Sequence, residues 1–181
     1  MTIKKPMTAA PTQIIDFSFK KRSFKIYQYP LSQTPPAFAK KLGEFYALWN
    51  TLRDGDKIPL RKDITFETLI GWHSNIRLVD FSVDNQSPDR NVILGETYKQ
   101  YWGNDNLYNR FDGDDDKSTQ NKENFKKCIT CFMNYHYAIS IGLTPNDNGS
   151  YQKIAWMDLP LSNTGDNKIT HALTALIPLE G

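Results

Sequence analysis

Tyr137-Ala138-Ile139-Ser140-Ile141-Gly142-Leu143, then Ile154-Ala155-Trp156-Met157-Asp158-Leu159-Pro160-Leu161, then Ile169-Thr170-His171-Ala172-Leu173-Thr174-Ala175-Leu176-Ile177 are the stretches whose reading decides the fold. Large apolar side chains recur at alternate positions, the period that places them on one face of an extended strand. Asn146-Asp147-Asn148-Gly149 separates the first stretch from the second, and Asn163-Thr164-Gly165-Asp166 the second from the third. Such residues bond their own backbone or tolerate a positive φ, so they turn the chain. The C-terminal third therefore predicts a three-stranded meander.

Working upstream, a helix is expected from about Gln120 to Asn134 with Phe125, Ile129 and Phe132 inward, preceded by a helical turn through Tyr98, Tyr101 and Trp102. Val92-Ile93-Leu94 reads as a strand that stops at Gly95, and Asp84–Asp89 as the turn leading into it. From Asn75 another strand puts Ile76 and Leu78 on one side and Arg77, Val79 and Phe81 on the other, so both of its faces should be covered. Before it come a short helix around Thr65–Ile70, capped by Asp63 or Thr65, and the irregular Ile58-Pro59-Leu60-Arg61.

Pro35-Pro36 opens an amphipathic helix in which Phe38, Leu42, Phe45, Trp49 and Leu52 recur every three or four residues as far as Arg53, and Asp54-Gly55-Asp56 ends it. Residues 1–12 read as a disordered lead-in. Residues 13–34 form an arm or hairpin, with Ile15, Phe17 and Phe19 alternating before the polar break Lys20-Lys21-Arg22-Ser23, and Phe24 and Ile26 after it. One sticky face cannot be buried by a hairpin alone, so the arm should dock on the domain or on a second copy. Residues 35–181 then make one domain of the α+β class: a five-stranded antiparallel sheet, the middle helices on one face and the Pro36–Arg53 helix on the other.

Composition narrows the function without naming it. The chain has 181 residues, 13% of them aromatic and 23% charged, and its mean hydropathy is −0.56. That is too rich in rings for disorder and lacks the ~20-residue apolar run of a membrane helix, which points to a cytoplasmic protein with no membrane partner. Two cysteines make no disulfide framework. Net charge is +2, but Lys4, Lys5, Lys20, Lys21, Arg22 and Lys25 face Asp16 alone in the first 30 residues, leaving the domain mildly acidic. Nucleic acid is therefore not the expected partner.

The order of elements is that of a PAS domain, and local strings resemble a family of short, stand-alone bacterial PAS proteins. Trp49…Leu52-Arg53-Asp54-Gly55-Asp56…Ile58-Pro59-Leu60-Arg61-Lys62-Asp63-Ile64, then Asn75-Ile76-Arg77-Leu78-Val79-Asp80, is similar to the family's opening helix and Pro-x-Arg-x-Asp segment. Ile93-Leu94-Gly95-Glu96, Tyr101-Trp102-Gly103-Asn104-Asp105-Asn106-Leu107 and Leu159-Pro160-Leu161-Ser162 look like its second strand, inner turn and fourth-strand ending. The resemblance spans roughly residues 40–178. It implies a sensory or regulatory domain with a pocket between sheet and inner helices, often dimeric through an N-terminal helix, and no catalytic residue. The Asn-Cys-Arg-Phe-Leu string of flavin-binding members has no counterpart here, and His136 or His73 is a weak match to the histidine of haem-binding ones, so no cofactor is assigned.

Other constellations have competing readings. Cys128-x-x-Cys131, with His136 nearby, has the spacing of a redox pair or part of a zinc site, but falls late in a helix and lacks four ligands. Core packing is the favoured reading. Asp112-x-Asp114-x-Asp116 with Glu123 imitates a calcium loop, yet Lys117 holds the position that needs Gly; a solvated acidic loop ahead of a helix is the plainer account. His73, His136 and His171 are scattered, with no nucleophile elbow, phosphate loop or His-Glu-x-x-His string. No catalytic residue and no metal site are assigned.

The expected function is a non-enzymatic PAS-like sensory domain that binds a small molecule, dimerises through the arm or first helix, or does both. Trp72, Arg77, Tyr98, Trp102, Tyr135, Trp156 and His171 are the candidates to line or gate its pocket. The alternative is a small α+β-barrel enzyme that uses His171 or His73 with Asp80 or Asp158 as a general base.

Overall fold

The computed structural model describes residues 10–19, 21–36, 40–81, 90–102, 116–145 and 149–179. Seven strands form one sheet: β1 (Gln13–Phe19), β2 (Arg22–Pro30), β3 (Ile76–Asp80), β4 (Arg90–Leu94), β5 (His136–Pro145), β6 (Tyr151–Leu161) and β7 (His171–Pro178). Their spatial order is β1-β2-β5-β6-β7-β3-β4. Every pairing is antiparallel. The helices are α1 (Lys40–Thr51), α2 (Glu96–Trp102) and α3 (Asp116–Met133), with short 3₁₀ turns at Arg61–Asp63, Glu67–Leu69 and His73–Asn75.

The meander read from the C-terminal third is β5-β6-β7, and the β3–β4 hairpin docks on β7 through Ile76↔Ala175 to Asp80↔His171. These five strands, with α2 and α3 against one face and α1 against the other, form the expected α+β layering. Residues 13–34 extend it: β2 runs along β5 from Ser23↔Leu143 to Pro30↔His136, and β1 lies outside β2. Five strands thus become seven because the arm pairs along the β5 edge, which also lays its apolar face on Trp102 and Trp156.

On the α1 face, Leu42, Phe45, Tyr46 and Trp49 are buried with Met157, Leu159, Leu173 and Ala175. The Trp49 indole N–H donates to the Pro160 carbonyl (2.9 Å), tying α1 to β6. Tyr46 and Tyr29 both pack on Tyr137, with ring centroids 5.3 Å apart in each case. Thr65 and Thr68 exchange backbone N–H to hydroxyl bonds at 2.9 and 3.3 Å, so Thr65 caps the turn that the sequence placed there.

On the other face the hairpin brings Ile15, Phe17 and Phe24 against Trp102, Ile154 and Trp156. Phe24 stacks on Phe17 (5.3 Å) and meets Trp156 edge-on (5.0 Å). This approach requires a glycine: a Cβ on Gly142, the residue opposite Phe24, would lie 2.3 Å from the Phe24 Cβ and from the Ser23 carbonyl oxygen.

Residues 1–9, Phe38, the Asp84–Asp89 turn, positions 103–107 of the inner-turn motif, Asp112 and Asp114 of the acidic loop and the Asn146–Asn148 turn lie outside the described residues. Among the described residues, no helix is long and apolar enough to cross a membrane.

Gly142→Ala should push β2 away from β5. An overpacking cost of about 1–3 kcal/mol is expected in urea unfolding, together with altered near-UV dichroism from Trp102 and Trp156. Unchanged stability would contradict the close contact.

Candidate functional site

Antiparallel register lines residues up in rows across a sheet, and one row on the α2/α3 face is polar. It reads Gln28 on β2, Ala138 on β5, Asp158 on β6, Thr174 on β7 and Arg77 on β3. The flanking positions are apolar or small: Ile26, Ser140, Trp156 and Leu176 on one side, Ala172 and Val79 on the other. A line of polar groups therefore crosses an apolar floor, with Ala138 leaving a gap between Gln28 and Asp158.

Each polar member except Ala138's gap has a defined anchor. The Thr174 hydroxyl donates to Asp158 Oδ1 at 2.6 Å. The Arg77 guanidinium, nearly buried, sits 6.0 Å from the centre of the Tyr98 ring and acts electrostatically on Asp158. Burial nonetheless raises the Asp158 pKa above the usual carboxylate value, against the Thr174 bond, the Arg77 charge and a hydrogen bond from Trp156. Gln28 Nε2 donates to the Cys128 carbonyl of α3 at 2.9 Å. That oxygen can only accept, so the amide's orientation is fixed with the NH₂ toward α3, and Gln28 Oε1 has no donor among the described residues.

Above this row lies a cavity of about 100 Å³. The hairpin closes one side with Phe17, Phe24 and Ile26, α2 contributes Tyr98 and Trp102, and α3 contributes Phe125, Cys128, Ile129 and Phe132. Trp156, Val79 and Phe81 complete the sheet side. An apolar, ring-lined hollow with a few convergent polar groups is the ordinary composition of a small-molecule site.

Arg77, Tyr98, Trp102 and Trp156 of the sequence candidates line this cavity. Trp72, Tyr135 and His171 are placed elsewhere. Trp72 falls in the turn before β3 and packs on Phe45 of α1 (4.9 Å), beneath the opposite face of the sheet. Tyr135 is half-exposed at a positive φ of 61° between α3 and β5, where its carbonyl accepts from the Leu31 N–H at 3.0 Å. His171 shares the α1 side with Leu173, because strand alternation sends its neighbour Ala172 toward the cavity. Its Nδ1 is 2.9 Å from the Thr170 hydroxyl and its Nε2 3.7 Å from Asp80 Oδ2. Burial lowers its pKa, Asp80 opposing and Arg61 reinforcing.

Gln28 and Thr174 are functional candidates that the sequence reading missed, and Asp158, named there only as a possible partner of a catalytic histidine, stands in the cavity floor instead. The signal was there in part: each stands on an alternating strand two residues from a large apolar side chain on the same face, Ile26, Leu176 and Trp156 respectively. What alternation could not show is that the three fall in one row. His73 stacks on Phe66 (3.7 Å) with Nε2 2.7 Å from its carbonyl, and His136 Nε2 lies 3.0 Å from the Thr12 hydroxyl. Cys128 and Cys131 are free thiols; burial pushes the Cys128 pKa up to about 12, with Asp158 and Cys131 adding to it, which favours the protonated thiol. Among the described residues, no group of three or more His, Cys, Asp or Glu could hold a metal ion.

No protein-family model and no curated protein matches the chain. A solved structure of an RNA-binding Light-Oxygen-Voltage receptor is similar to it, with a TM-score of 0.44 and 13% identity over 88% of this chain. The chain spans 40% of the length of that receptor chain.

Because its folded pKa is raised, Asp158 holds its proton more tightly in the native state than in the unfolded chain. Stability is therefore lost as pH rises from the ordinary carboxylate value through the raised one, and the deficit persists at neutral pH. Asp158→Asn, which can still accept from Thr174, should be more stable than the wild type at pH 7 and should lose that advantage near pH 4. Thermal unfolding across this range reads it out, and a constant or inverted difference would contradict the assignment.

Proposed function

We propose that this chain is a sensory or regulatory domain of PAS type, which holds a small molecule between the inner sheet face and α2/α3 and performs no chemistry on it. The observation that carries this reading is the polar row Gln28–Asp158–Thr174–Arg77 laid across the floor of an otherwise apolar, aromatic-walled cavity. The wall chemistry favours binding over turnover. Its thiol, Cys128, is held far from the thiolate, and its carboxylate is engaged by Thr174. The His171–Asp80 pair lies across the sheet from the cavity, and His171 is almost fully buried.

The fine form of the proposal is a bacterial PAS-type signalling domain whose partner is a second copy of the chain, meeting it through the N-terminal hairpin or α1. A route for the signal supports this reading: the hairpin that would meet the partner also walls the cavity and is bonded to α3 through Gln28 and the Cys128 carbonyl. Occupancy of the cavity would thus bear directly on how the hairpin sits.

Native mass spectrometry of the purified full chain, compared with its denatured mass, should show a non-covalent mass excess that denaturation removes. Ala138→Leu fills the gap in the row; it should still unfold cooperatively, within about 1–3 kcal/mol of the wild type, and lose the mass excess. The reading is abandoned if the wild type carries no excess, or if the variant keeps all of it.

A further inference from the structure

The Gln28 side chain is 1% exposed. Its amide is pinned from one end only, by the Nε2 bond to the Cys128 carbonyl, while Oε1, on the wall of the cavity, has no donor among the described residues. A buried acceptor without a donor carries the full desolvation penalty of its lone pairs, and a leucine or methionine would fill the same position without it. The acceptor is stabilising only when something in the cavity meets it.

We infer that the ligand of this cavity is a small, uncharged molecule, one aromatic ring or less in size, which presents a single O–H or N–H donor to Gln28 Oε1. The inference rests on the small-molecule reading above and specifies its chemistry. Size follows from the volume of about 100 Å³, since a dry apolar cavity of roughly 150 Å³ takes up benzene. Shape follows from Phe24, Trp102 and Trp156, whose mutual contacts at 5.0–5.6 Å leave ring faces and edges as the wall. Neutrality follows from the row itself: Arg77 and Asp158 bring opposite charges on the two strands that flank β7, and Asp158 already accepts from Thr174. Donor polarity follows from Gln28, whose Nε2 is anchored on the Cys128 carbonyl and whose Oε1, an acceptor, is the atom left without a partner among the described residues. Gln28 belongs to β2, so the hairpin both closes the cavity and carries the group that selects what enters it.

The test uses phenol, anisole and toluene with the full chain. Phenol carries the donor, anisole blocks it with a methyl group, and toluene lacks the oxygen. Calorimetric titration gives the ratio of phenol to anisole affinity in the wild type and in Gln28→Leu, and this ratio is expected to fall by about tenfold in the variant. In labelled wild-type protein, which needs no variant to fold, the Gln28 side-chain amide resonances should move with phenol and stay with toluene. Equal ratios in the two proteins, or amide resonances indifferent to phenol, overturn the donor assignment; a water already satisfying Oε1 would give that result. If none of the three probes binds the wild type, the donor assignment is overturned, and the native mass excess separates the two failures: its presence keeps the small-molecule reading and its absence overturns that reading as well.

Discussion

The pairing of β2 along β5, from Ser23↔Leu143 to Pro30↔His136, is the contact on which the rest of the site depends. Without it the inner face of the sheet would end at β5, Phe24 would have no ring to meet, and the space under α3 would be open on one side. With it, Gln28 enters the same row as Ala138, Asp158, Thr174 and Arg77, and its amide reaches the Cys128 carbonyl on α3. Strand pairing is all-or-none in register: a slip of one residue would send Phe24, Ile26 and Gln28 to the opposite face. Gly142 secures that register sterically, since any side chain there would collide with Phe24 and the Ser23 carbonyl.

The two faces of the sheet divide the work. The α1 face is a conventional core, in which Leu42, Phe45, Tyr46 and Trp49 cover Met157, Leu159, Leu173 and Ala175 and the Trp49 indole is satisfied by Pro160. The opposite face mixes rings with buried polar groups. Burial of Asp158 there works against its ionised form, and Gln28 leaves an acceptor unmet. Groups that cost stability are expected where a site binds something, because the same positions could be filled by apolar side chains at no such cost. A buried carboxylate and an unmet amide oxygen on the wall of one cavity are a stronger pointer to the site than cavity volume.

Much of the fold was legible before any coordinates. Alternation in Tyr137–Leu143, Ile154–Leu161 and Ile169–Ile177 gave the meander, the three-and-four spacing of Leu42, Phe45 and Trp49 gave α1, and Phe125, Ile129 and Phe132 do line the cavity as the inner stripe of α3. Half-range order was harder. The arm was readable as a hairpin needing a surface, but its period-two pattern is satisfied equally by docking on a face, pairing at an edge or meeting a second copy. Pairing at the β5 edge is what the structure shows. Among the candidate residues, Arg77, Tyr98, Trp102 and Trp156 reach one cavity, whereas Trp72 and His171 are buried beneath the other face. Residue type suggested all of them; which side of the sheet each would face depended on strand parity and on which helix covered it.

The sequence by itself determined the local periods: where the chain is extended, where it is helical, where it must turn, and that both sheet faces carry enough rings to be covered. Those are properties of neighbours a few residues apart, and side-chain spacing fixes them. Only the tertiary structure decided that Gln28, Asp158, Thr174 and Arg77 share a row, since they come from four strands separated by up to 146 positions in the chain (Gln28 to Thr174) and are aligned by inter-strand register. Register is set by the summed packing of β1 to β7 against α1, α2 and α3, and no single segment contains it.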